Sequence, residues 1–166
     1  VVMTVLAYAL PQVQADNIPI KGAIYYVHRP DNSFKTYIDI VIGKDFAGKL
    51  PDDIDSITVT GPDGDLPISK KDFIYHPQWQ DFWTAIPGPP AIGTYTFKVT
   101  SGNKSGSATD THSVNRKIPI PDTDTFSPTE GEALTCKPPT FSWTAVDAKI
   151  PLYYQIQIKD IKGNHI

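Results

Sequence analysis

Hydrophobic and polar residues alternate along most of this chain in short runs broken by prolines, glycines and acidic turns. In Lys35–Gly43 (KTYIDIVIG), Ile38, Ile40 and Ile42 fall on one face and Tyr37, Asp39 and Val41 on the other. Period two with β-branched residues predicts a half-buried strand. Gly93–Thr100 (GTYTFKVT) follows the same rule, with Tyr95, Phe97 and Val99 inward and Thr94, Thr96, Lys98 and Thr100 outward. Further strands are expected over Gly22–Arg29, Ser56–Thr60, Gln80–Ile86 and Ser107–Val114, and one or two edge strands over Leu66–Tyr75, where Pro67 is tolerated. Turn chemistry separates them: Pro30-Asp31-Asn32-Ser33, Gly61-Pro62-Asp63-Gly64-Asp65, Pro87-Gly88-Pro89-Pro90 and the Ser101–Gly106 hairpin. About seven strands at this spacing is the pattern of an immunoglobulin-type sandwich.

A proline-rich joint, Ile118-Pro119-Ile120-Pro121-Asp122, holds the backbone extended and reads as a semi-rigid spacer. A second strand set follows it, with Phe141-Ser142-Trp143 and then Leu152–Lys159 (LYYQIQIK), where Tyr154, Ile156 and Ile158 share a face. The chain stops soon afterwards at Ile166, so this second domain is expected to be truncated. At the other end, Val1–Leu10 is an uncharged apolar run, shorter than the roughly 20 residues of a membrane-spanning helix. With Val13 and Ala15 as small residues, it reads as a signal-peptide remnant cleaved between Ala15 and Asp16.

Composition sharpens this picture in two places. Sixteen prolines and 11 glycines in 166 residues argue against long helices. A net charge of −3 with scattered Lys and Arg makes nucleic acid an unexpected partner. Cys136 stands alone, which rules out an intrachain disulfide and fits a small buried hydrophobe. The four histidines lack metal-ligand spacing, and no GxSxG, P-loop or GxGxxG motif occurs. Asp52/Asp53/Asp55 and Asp63/Asp65 read as solvated turns. Asp122-Thr123-Asp124 opens like a calcium loop, yet Phe126 and Ser127 replace the third oxygen ligand and the glycine. Asn103-Lys104-Ser105 is a glycosylation sequon at a hairpin tip. The aromatic stretch Phe73, Tyr75, Trp79, Phe82 and Trp83 is the most suggestive segment. On one strand Phe82 and Trp83 must point to opposite faces, so one is core and the other is not.

Gly93–Thr100, the Ser101–Gly106 hairpin and Ser107-Ala108-Thr109-Asp110-Thr111 resemble the last two strands of bacterial Ig-like or PKD-like surface modules. In that resemblance Tyr95 takes the tyrosine-corner position, whose hydroxyl ties back to nearby backbone. Phe141-Ser142-Trp143 and Tyr153–Ile158 are similar to strands B and C of fibronectin type III domains, where the Trp and the strand-C Tyr are core residues. The first domain lacks the cysteine pair and a clear strand-C Trp of antibody-type domains. The resemblance therefore implies an all-β chain. Its order is a signal-peptide remnant at 1–15, an Ig-like β-sandwich over 16–118, a Pro-rich linker at 119–124 and a partial fibronectin type III-like domain over 125–166.

Such folds host many functions. The expectation is a non-catalytic secreted or cell-surface spacer or adhesion element of a larger protein, not an enzyme. The alternative is an accessory carbohydrate-binding module of a secreted enzyme, carried by Tyr75, Trp79 and Trp83. A protein or glycan at the cell surface is the expected partner, with no cofactor, metal, nucleic acid or membrane span in the mature chain. The expected location is extracellular, cell-surface or periplasmic.

Overall fold

A computed structural model describes residues 17–29, 33–114, 119–129, 132 and 139–147. The signal segment and its Ala15–Asp16 cleavage point, the Pro30–Asn32 turn, Ile118 of the joint, Cys136, Pro138 and the Leu152–Lys159 strand lie outside the described residues. Contacts divide the chain into two compact units, and all eight described strands fall in the first, save His28 at the end of β1. They are β1 (Ile20–His28), β2 (Phe34–Ile42), β3 (Ser56–Gly61), β4 (Gly64–Asp65), β5 (Ile74–His76), β6 (Asp81–Pro87), β7 (Gly93–Ser101) and β8 (Lys104–His112). Two antiparallel four-stranded sheets result, ordered β1-β2-β6-β5 and β4-β3-β7-β8.

The alternation read from the sequence is what joins the layers. Ile24, Ile38, Ile40, Ile42 and Phe82 of one sheet meet Ile57, Val59, Tyr95, Phe97 and Val99 of the other in a single buried cluster. Burying each such side chain contributes about 1.5–3 kcal/mol. Phe97 is wholly buried, and its ring lies over Gly22 of β1. A β-carbon at position 22 would overlap that ring, so this position needs glycine for space. The Tyr95 hydroxyl donates to the Ala91 carbonyl at 3.0 Å, pinning the approach to β7.

Register is fixed by short turns and by polar ties. Ser101 pairs with Lys104, which leaves Gly102-Asn103 as a two-residue loop. Gly102 has φ +56°, as the first central residue of a type II′ turn requires. Its N–H donates to Asp55 Oδ2 at 2.5 Å. Ahead of β1, Asn17 bridges Ser105 in parallel and the Ile18 N–H donates to the Ser105 carbonyl at 3.0 Å. Asp110 Oδ2 on β8 accepts the Ile24 N–H of β1 at 2.9 Å. The chain thus ties together the β1 and β8 edges of the two sheets, and unpaired strand edges there are reduced.

The segment Leu66–Tyr75 forms an edge strand, as expected, only at its end, where Ile74 and Tyr75 enter β5. It holds a 3₁₀ turn, Lys70–Asp72, between the two-residue β4 and the three-residue β5. Pro67 has no N–H to give a ladder. Asp72 Oδ2 accepts from the Ser69 N–H (2.8 Å) and hydroxyl (3.0 Å), local bonds that compete with a strand.

In the second unit, Asp122 opens a 3₁₀ turn over Thr123–Thr125, its Oδ1 accepting the Asp124 N–H at 3.1 Å. Ser127 and Ser142 exchange two backbone hydrogen bonds of 2.9 Å, and Phe126 meets Trp143 edge to face at 6.5 Å. Thr125 Oγ1 accepts the Thr144 N–H at 3.0 Å. Among the described residues no helix is long and apolar enough to cross a membrane.

Candidate functional site: the outer face of the β1-β2-β6-β5 sheet

Inward isoleucines on β2 force Tyr37, Asp39 and Val41 outward. On β6, Phe82 and Thr84 are buried, which turns Asp81, Trp83 and Ala85 to the outer face. Phe82 is therefore the core member of the pair that the sequence left open. The ladders set Asp39 opposite Trp83, Val41 opposite Asp81, and His76 of β5 opposite Asp81.

Three rings stack across the face. Tyr37 lies 5.7 Å from Trp83 at 7°, and His76 lies 5.6 Å from Trp83 at 23°. Because β6 runs between β2 and β5, Tyr37 and His76 flank the indole from opposite sides. The Trp83 Nε1–H donates to His76 Nε2 at 2.7 Å. His76 Nδ1 then donates to Asp81 Oδ1 at 3.1 Å, so this hydrogen-bond chain selects the neutral Nδ1–H imidazole. Asp81 is almost fully buried. Asp39 stands diagonal to Asp81 across the β2–β6 ladder, and its Oδ1 is shielded from solvent without a partner. Burial first, and then the Asp81 charge, lift the Asp39 carboxyl to about 6. On β1, Tyr25 is 49% exposed. Its hydroxyl is raised by partial burial and by the carboxylates of Asp39, Asp110 and Asp81.

Trp79 stands at the rim of this face. It is 64% exposed and meets His76 edge-on at 5.2 Å. The β5–β6 turn that carries it is tightly held: the Trp79 N–H donates to the His76 carbonyl at 3.3 Å, and the Gln80 carbonyl accepts the Ile42 N–H at 3.0 Å. Gln80 adopts φ +55°, a left-handed conformation that costs a non-glycine residue about 1 kcal/mol.

Of the three aromatic residues singled out from the sequence, the structure brings two together. Trp79 and Trp83 share the outer face through His76. Tyr75 instead packs inward on Phe82, with ring centroids 4.9 Å apart, because its place on β5 opposes Phe82. Trp83 is stacked on Tyr37 and has its N–H engaged by His76, whereas the more exposed Trp79 offers its indole to solvent. Tyr37, His76, Asp39, Asp81 and Tyr25 were not singled out. Only the β2–β6 and β5–β6 registers bring them together, although outward Asp39 amid the β2 alternation was a readable signal.

Other surfaces differ in character. The outer face of the β4-β3-β7-β8 sheet presents exposed Thr58, Thr60, Thr94, Thr96, Ser107 and Thr109. Two open hollows of about 250 Å³ each lie where loops meet strands, one lined by Phe46, Gly48 and Ser101, the other by Pro62, Pro89 and Tyr95. The loop aspartates serve turns: Asp53 accepts the Lys49 N–H at 2.6 Å, and Asp65 accepts the Thr60 hydroxyl at 2.6 Å. Among the described residues, no group of three or more His, Cys, Asp or Glu is placed to hold a metal ion. The chain matches no protein-family model, no curated protein and no solved structure.

Proposed function

We propose that this chain is a non-catalytic, exported interaction module. In this reading an immunoglobulin-like domain over 16–118 and a fibronectin type III-like segment over 125–166 flank a linker at 119–124, as a spacer or adhesion element of a larger secreted or surface protein. Strand order supports the first assignment. Lettered along the chain with β4 as C′, the sheets read A-B-E-D and C′-C-F-G, the arrangement of immunoglobulin-like sandwiches. The Tyr95 hydroxyl bond to Ala91 is of the tyrosine-corner kind.

The observation that carries the interaction reading is Trp79: a large indole, 64% exposed, on a hydrogen-bonded turn beside a three-ring stack. Tryptophan on a rigid mount suits an anchor at an interface, because little side-chain freedom is lost on binding. The same solvent-facing ring favours a second reading, an accessory carbohydrate-binding module, since an indole can pack against the apolar face of a sugar. Screening the chain and its Trp79→Ala variant on a glycan array and on a panel of cell-surface and matrix proteins tests both. Saturable binding to protein, lost in the variant, supports the first reading, and the same result confined to glycans supports the second. Equal binding by both chains refutes the role given to Trp79.

A further inference from the structure

We propose that Asn103 is the acceptor of an N-linked glycan, and that the first sugar of that glycan seats in the hollow beside it, on the Phe46 ring. Of the five asparagines in the chain, Asn103 alone stands two residues before a Ser or Thr, with Lys104 rather than proline between. The proposal rests on the export reading, because such sites are modified on secreted chains.

The fold presents that amide. Ser101 pairs with Lys104, so Asn103 is the second central residue of the two-residue β7–β8 loop, and it is exposed. Among the described residues, no hydrogen bond or ion pair occupies its side chain. The loop itself is held from both sides. The Gly102 N–H donates to Asp55 Oδ2 at 2.5 Å, and the Ser105 carbonyl accepts the Ile18 N–H at 3.0 Å. A substituent at position 103 therefore projects from a fixed stalk and displaces no core contact. The attachment point and Trp79 belong to different sheets, since β7 and β8 pair with β3 and Trp79 lies between β5 and β6.

Both chain neighbours of Asn103, Gly102 and Lys104, line a hollow of about 250 Å³ together with Phe46, Gly48 and Asp53. That is below the roughly 300–1,000 Å³ of pockets that take drug-sized ligands, so it suits one sugar ring rather than a free oligosaccharide. Glycine at 48 lets the Phe46 ring lie there, because a β-carbon at that position would overlap it. The ring supplies an apolar surface for the C–H face of a pyranose. Polar groups stand around it: Asp53, whose Oδ2 accepts the Lys49 N–H at 2.6 Å, brings a carboxylate, and Lys104 brings an ammonium. An apolar floor with a few polar groups at its rim is what orients a small ligand.

The transfer balances without an oxidant or reductant. Its donor is a lipid-linked oligosaccharide pyrophosphate. Asn103 Nδ2 bonds to C1 of the reducing-end sugar as the bond from C1 to the pyrophosphate oxygen breaks. The nitrogen gives one proton to a base of the transferase, and the lipid pyrophosphate leaves. The Ser105 hydroxyl is recognised by the transferase, which makes it a positioning group and not a reactant.

The test is expression of the whole chain behind the leader of a host that glycosylates Asn-x-Ser sites, reading every copy that enters the secretory compartment, released or retained. Because the host supplies the leader, a failure here is separate from a failure of the export reading. Intact mass should show one oligosaccharide per chain, removed by peptide-N-glycosidase, which converts Asn103 to a carboxylate that peptide mapping detects. Asn103→Gln and Ser105→Ala should lack it, and Ser105→Thr should keep it. Unmodified Asn103 in that compartment, or an oligosaccharide that persists in Asn103→Gln, overturns the acceptor assignment. Melting temperatures read the seat. The glycosylated chain should melt a few degrees above the enzymatically trimmed one, and Phe46→Ala, still glycosylated, should lose that difference. Equal melting of the two wild-type forms, or a difference that survives in Phe46→Ala, refutes the seat on Phe46. Should Phe46→Ala fail to fold, the two wild-type forms decide it alone.

Discussion

Phe97 and Gly22 make a pair whose energetics can be worked from their geometry. Phe97 is wholly buried in the middle of β7, which is held by β3 on one side and β8 on the other. Its ring occupies the space where a β-carbon of residue 22 would stand. Phe97→Ala removes a large buried ring and should cost about 3–5 kcal/mol. With a urea dependence of about 2 kcal/mol per molar, the unfolding midpoint should fall by roughly 2 M. Gly22→Ala alone drives a methyl group into the ring and should cost about 1–3 kcal/mol by overpacking. In the Phe97→Ala background that methyl enters vacated space, so its cost should vanish or change sign. Equilibrium urea unfolding of the four chains, followed by tryptophan fluorescence, closes the cycle. A coupling of at least about 1 kcal/mol is expected. Losses that add to within about 0.5 kcal/mol would show that the two residues do not meet. A Phe97→Ala loss below about 1 kcal/mol would mean that β7 faces the other way.

Tyr95→Phe removes only the hydroxyl bonded to Ala91 and should cost about 0.5–1.5 kcal/mol by thermal or urea unfolding. Trp79→Ala should change stability by less than about 0.5 kcal/mol, because the indole is largely exposed, so any loss of binding can be read as recognition. Between pH 4.5 and 7.5 the wild-type chain should lose about 1 kcal/mol in urea titrations, the linkage value of about 2 kcal/mol over that window being reduced by solvent screening at the half-exposed Asp39. Asp110→Asn weakens the tie to the Ile24 N–H across the β1–β8 edge and should speed exchange of that amide, measured by hydrogen exchange.

How far the sequence reaches can be seen in β2 and β7. Their strict alternation needs no partner to be read, and Ile38, Ile40, Ile42, Tyr95, Phe97 and Val99 are all buried as that alternation predicts. Gly102 was legible for a similar reason, since the hairpin demands a residue that tolerates positive φ. Phe82 and Trp83 show the limit. Both are large and apolar, and only the match of Phe82 to Tyr75 and the inner face decides between them. The acid pair was out of reach, because Asp39 and Asp81 meet only once β2 and β6 are in register. In Leu66–Tyr75 the edge strand was legible at Ile74 and Tyr75, whereas Pro67 and the Ser69–Asp72 bonds turn the preceding residues into a local turn.

The claim that matters most is that recognition belongs to the outer face of the β1-β2-β6-β5 sheet, with Trp79 as its anchor. Affinity measured side by side for the wild type, Trp79→Ala and Thr109→Ala, against whichever ligand the arrays return, tests it directly. Thr109 is exposed on the outer face of the other sheet and serves as the control. The account predicts at least a tenfold loss for Trp79→Ala, about 1.4 kcal/mol, and wild-type affinity for Thr109→Ala. Wild-type affinity in Trp79→Ala, or an equal loss in both variants, would contradict it.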